Sequence, residues 1–118
     1  MSASKDPSHV IARSSERARL AREELLYWST EVLKAEERGE VTSSLLQATQ
    51  SASALASAEQ KALRALLDSH DLSDEQAEEI YRLDKEFANL AEQYRCLVVR
   101  ANRLNNQTAT NASSEPSP

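Results

Sequence analysis

Apolar and small residues recur along this chain at steps of three and four over three separate stretches. Each stretch predicts an amphipathic helix carrying a heptad-like seam. The first seam runs Ile11, Ser14, Ala18, Ala21, Leu25, Trp28, Val32 and Ala35. The second runs Leu45, Ala48, Ala52, Leu55, Ala62 and Leu66, is interrupted by Glu59, and has Leu46, Ala56, Leu63 and Leu67 beside it. The third is the cleanest: Ile80, Leu83, Phe87, Leu90, Tyr94, Leu97, Ala101 and Leu104.

Punctuation signals bound these stretches. Asp6 reads as an N-cap with Pro7 at the first helical position, where its missing N–H leaves no bond unmade. Gly39 reads as a left-handed C-terminal cap, with Lys34 and Arg38 near the negative end of the helix dipole. A second helix starts near Thr42 or Ser43. Ser73 followed three residues later by Gln76 reads as a capping box, and Asp74 and Glu75 suit the positive end of a third helix. The predicted helices are about 7–38, 43–70 and 74–105. A flexible segment (1–6) precedes them and a disordered polar tail (106–118) follows. Short connections force antiparallel neighbours. The fold class expected is therefore all-α: three long amphipathic helices in an antiparallel up-down-up bundle, or a coiled-coil-like arrangement with a helix packed on a second chain.

Composition supports the pattern. A chain with one Gly, three Pro and 4% aromatic residues has few turn and strand formers. At 118 residues it is one domain's length. The net charge of −5 disfavours nucleic acid as a partner, because phosphate rewards a basic surface. Cys96 is the only cysteine, so no internal disulfide forms, and no apolar run is long enough to span a membrane. With a polar Met1–Pro7 in place of a signal segment, an intracellular, cytoplasmic setting is expected. The sequons at Asn106 and Asn111 read as chance occurrences in an Asn/Ser/Thr-rich tail.

Candidates for chemistry are few. His9 and His70 fall at one pole of an up-down-up bundle, with Asp6, Asp71 and Asp74 nearby in sequence. That grouping is the basis of a metal-sensor alternative, although neither a metal site nor a cofactor is expected. His70 otherwise reads as a C-terminal cap. Cys96 reads as a half-buried structural thiol, since it falls off the seam and has no neighbouring base. The carboxylates of Asp74–Glu79 lack the spacing of a calcium loop. No catalytic residue is assigned, and the chain is expected not to be an enzyme.

Helix one has a second apolar set, Leu20, Leu26, Tyr27 and Leu33, away from its seam. Helix three has a smaller one, Ala91, Val98 and Val99. Exposed apolar residues aligned on a long helix mark an interface. The basic residues Arg13, Arg17, Arg19 and Arg22 form a patch interleaved with Glu16, Glu23 and Glu24. The expected partner-binding residues are Leu20, Leu26, Tyr27, Leu33, Arg13 and Arg17. The general build resembles that of small export chaperones of bacterial flagellar and type III secretion systems. It equally resembles coiled-coil subunits of eukaryotic adaptor and tethering complexes. The function expected is a helical adaptor or scaffold subunit that self-associates or joins a larger helical assembly. The alternative is a small acidic chaperone that shields a helical client, with the Ser/Ala-rich second helix as its mobile element.

Overall fold

The structure, a computed structural model, describes residues 7–69 and 71–113, with side chains over 7–68 and 71–107. Three helices account for nearly all of it: α1 (Pro7–Arg38), α2 (Ser43–Ser69) and α3 (Asp74–Ser113). Asp6 and His70, assigned to helix ends above, lie outside the described residues, as do 1–6 and 114–118.

The caps are built as local chemistry dictates. Gly39 has φ +81°. Its N–H donates to the Glu36 carbonyl at 3.3 Å and to that of Ala35 at 2.9 Å, while the Glu40 N–H reaches Ala35 at 3.2 Å. This is a Schellman closure, which satisfies carbonyls that the helix end would otherwise orphan. Thr42 starts α2, its hydroxyl accepting from the Leu45 N–H at 3.1 Å. The capping box of α3 is present in both directions: the Gln76 N–H donates to Ser73 Oγ at 3.1 Å, and the Ser73 N–H to Gln76 Oε1 at 3.0 Å.

The helices run up, down and up. Gln76 at the start of α3 donates to Ser8 at the start of α1, and Arg100 bridges to Glu36 near the ends of both helices. The antiparallel α2 brings Glu59 to Ser14 and Arg17, and Arg64 to Asp84. The bundle measures 71 × 25 × 20 Å. Its length reflects α3, whose 40 residues span about 60 Å. That helix continues past the loss of pattern at Asn105. Leu104 is its last buried side chain among those described, and Asn105, Asn106 and Gln107 are exposed. No Gly or Pro stands between Leu104 and Ser113 to stop the backbone ladder.

α3 is the organising helix. Both other helices pack on it, and α1 and α2 touch each other least. Ile80, Leu83, Phe87, Leu90, Tyr94, Leu97, Ala101 and Leu104, the whole α3 seam, are buried. On α1, Ile11, Ser14, Ala18, Val32 and Ala35 are buried, whereas Ala21, Leu25 and Trp28 in the middle are half-buried against the core. The α1 seam is thus sealed at both ends and open at its centre.

α2 departs from expectation. Its buried face is Leu45, Thr49, Ala56, Leu63 and Leu66, with Ala52 and Glu59 partly buried on the same line. Those seven positions alternate steps of four and three without a break. The expected core position Leu55 is instead 67% exposed, and Ala62 is exposed too. The observed face carries two polar residues, and each is satisfied. Thr49 is fully buried because its hydroxyl is satisfied within the helix, by the Leu45 and Leu46 carbonyls at 3.1 and 3.0 Å. Glu59 is tolerated because Arg17 and Ser14 reach its carboxylate. Buried polar groups with partners carry little penalty, so Thr49 is tolerated on a face that buries Leu63 where the expected face had Ala62. Among the described residues no buried side-chain nitrogen or oxygen lacks a partner.

Cys96 is exposed, which corrects the expected half-buried thiol. It stands two residues after Tyr94 and one before Leu97, so the helical turn carries it off the buried face.

Candidate functional site: a groove between α1 and α2

The sparse contact between α1 and α2 leaves a groove of about 320 Å³ along their junction. Its floor is α3, which contributes Phe87 and Tyr94. One wall is Leu20 and Ala21 of α1, the other Ala52, Leu55 and Ala56 of α2. Arg17, Glu24 and Glu59 supply the polar rim. The groove follows from residue size. Where a packed α1–α2 interface would need bulky side chains, α2 presents Ala52 and Ala56. The two leucines that could reach across, Leu20 and Leu55, stand on the lips at 44% and 67% exposure.

Arg17, Glu59 and Tyr94 of the site are already engaged. Arg17 Nη1 donates to Glu59 Oε2 at 2.7 Å, and Ser14 Oγ to Glu59 Oε1 at 3.3 Å. The Tyr94 hydroxyl donates to the Ala21 carbonyl at 2.7 Å, tying the floor to the α1 wall. Burial, reinforced by the negative charge of Glu24, pushes the Tyr94 phenol up to about 12, so it stays protonated as a donor. What remains is an apolar trough with a polar edge, the chemistry of a surface that takes an apolar side chain from a protein partner.

The sequence-derived site residues distribute unevenly around this groove. Leu20 and Arg17 line it. Leu20, Leu26, Tyr27 and Leu33 are all exposed large apolar residues, but they do not share one face. At about 100° per residue, Leu20 and Tyr27 lie on one flank of α1, and Leu26 and Leu33 on another roughly 120° away. The first flank borders α2. Tyr27 packs its ring edge-on against Trp28, with centroids 4.7 Å apart. The basic patch is largely neutralised: Arg17 pairs with Glu59, Arg19 with Glu16 and Glu23, and Arg22 with Glu86 of α3. Arg13 is exposed. Leu55, Phe87 and Tyr94 were assigned to the core by periodicity, and their part in a groove was not legible. The available signal was the run of small residues on α2 facing the middle of α1.

His9 is exposed. Among the described residues no three His, Cys, Asp or Glu side chains converge as a metal site requires, and none of the helices is long and apolar enough to cross a membrane. Comparison with protein-family models, with curated proteins and with solved structures finds no match to this chain.

Proposed function

We propose that this chain is a non-enzymatic protein–protein interaction module, a helical adaptor or scaffold subunit. Its α1–α2 groove receives the apolar face of a partner helix. The observation that carries this reading is the apolar trough itself, with Leu20 and Leu55 exposed on its lips over a floor of Phe87 and Tyr94. A helix laid there would meet α1, α2 and α3 together and complete a four-helix arrangement, the geometry of helix-in-groove recognition. Acidic Glu24 on the rim favours a partner with a basic residue beside its apolar anchor.

The test is affinity purification of the tagged chain from its own cells, followed by the same purification of Leu20→Asp and Leu55→Asp variants. Both sites are exposed, so both variants should keep the fold, as melting would show. The expected result is one stoichiometric protein with an amphipathic helix, lost from both variants. A partner retained in full by both variants excludes the groove.

A chaperone reading draws on the same geometry. In it the Ser/Ala-rich α2 would swing away to enlarge the groove for a client, which requires it to part from α3, the helix it packs on most. Hydrogen exchange fastest in α2 and suppressed by the client supports that version. Exchange fastest in α1 or α3 rejects it.

A further inference from the structure

We infer that a second surface, the outer flank of α1, binds a second copy of this chain in antiparallel fashion. Arg19, Arg22, Leu26, Thr30, Leu33 and Glu37 follow one another at steps of three and four, so they form one stripe along the helix. All six are exposed, and Leu26, at 74%, is the most exposed large apolar residue among those described. The groove does not use them: Leu26 lies roughly 120° around the helix from Leu20.

The order along the stripe identifies the occupant. It reads basic, basic, apolar, polar, apolar, acidic. A second copy laid antiparallel, with a two-fold axis between positions 29 and 30, places Leu26 opposite Leu33 and Arg22 opposite Glu37. Symmetry repeats both pairs. Glu23 and Lys34, at the edge of the stripe, also fall beside each other with opposite sign. A parallel copy would set Arg22 on Arg22 and Glu37 on Glu37, which repels. The antiparallel overlap covers residues 21–38 of each α1, about 27 Å. So short a helix pair makes a weak, concentration-dependent dimer. The ion pairs of Arg19 with Glu16 and Glu23, and of Arg22 with Glu86, do not prevent this. Arg19, Glu16 and Glu23 are about half exposed, and surface pairs of that kind exchange at little cost. Glu86, at 19% exposure, keeps Arg82 at 3.5 Å when Arg22 turns outward.

Sedimentation of the full chain across concentration tests the inference. The expected result is a monomer–dimer equilibrium. Leu26→Glu and Leu33→Glu should each weaken it by about tenfold or more with melting unchanged. Glu37→Arg should also weaken it, and mixing that variant with Arg22→Glu should restore the dimer, because every rung is then of opposite sign. Independently, Thr30→Cys in a Cys96→Ser background should form a disulfide-linked dimer on oxidation. The groove variants Leu20→Asp and Leu55→Asp should leave the dimer intact, which separates this surface from the one proposed above. A chain monomeric at every concentration overturns the inference. So does a dimer indifferent to the leucine variants, to Glu37→Arg or to mixing.

Discussion

The Tyr94 hydroxyl donates to the backbone carbonyl of Ala21 at 2.7 Å, a contact that pins the middle of α1 to α3 at the one stretch where the α1 seam is only half-buried. Because the phenol is pushed up to about 12 from 10.0, first by burial and then by Glu24, its proton is held more tightly folded than unfolded. A raised folded value contributes stability that is complete below the unfolded value and lost as pH rises through the folded one. Stability should therefore fall between pH 10 and about 12 as this phenol ionises. Tyr94→Phe should lose about 1 kcal/mol at neutral pH and show a smaller decline over that window. Denaturant melts of both proteins at matched pH check the pair.

Core truncations should separate the sealed helix from the open one. Leu90 is 2% exposed on α3. Leu90→Ala should cost ~2–5 kcal/mol, combining lost transfer energy with a cavity. Leu25 sits on the half-buried middle of α1. Leu25→Ala leaves an opening to solvent instead of a closed cavity, so its cost should be about half as large or less. Equal destabilisation of the two variants would mean that α1 seats more deeply on the core than its exposure indicates.

How far periodicity carries is clearest on α2. The α3 seam was legible because bulky apolar residues occupy every seam position from Ile80 to Leu104 except Ala101, and most positions between them are polar. On α2, Ala and Leu occupy several faces, so apolarity alone does not choose between Leu55 and Leu63. The observed face differs from the expected one in burying Thr49, whose hydroxyl bonds within its own helix, together with Ala56 and Leu63. Glu59 lies on both faces, and its partners Arg17 and Ser14 are ones that no periodicity contains. Exposure of Leu20 and Leu33 was legible as surplus to the seam, and their division between two flanks follows from helical spacing, but that Leu20 faces α2 required the tertiary structure. Truncation tests the outcome directly. Leu63, fully buried, should cost ~2–5 kcal/mol as Leu63→Ala, while Leu55→Ala should fall within about 0.5 kcal/mol of the parent. The reverse order would restore the seam through Leu55.

Thr49 gives a sharper version of the same point. Its side chain is fully buried, and its hydroxyl bonds only to carbonyls of its own helix. Thr49→Val keeps the shape and removes the hydroxyl together with its need for a partner. The Leu45 and Leu46 carbonyls retain their helical bonds, so no buried group is orphaned. The change should be near neutral, within about 1 kcal/mol. Thr49→Ala removes a methyl group as well and should be the more destabilising of the two, as thermal melting of both variants would show.

Gly39 turns the chain from α1 into α2 at φ +81°, and a methyl group added there would meet nothing within 4 Å. Any penalty for Gly39→Ala therefore comes from the backbone alone, since an L side chain in the left-handed region costs about 1–2 kcal/mol. Part of that is offset, because alanine leaves the unfolded chain less freedom to lose. A net loss of about 1 kcal/mol is expected. Gly39→Asn should recover part of it, because asparagine enters this region more readily than alanine. If Gly39→Ala melted like the parent, the Schellman closure with Ala35 and Glu36 would not be what sets the α1–α2 turn.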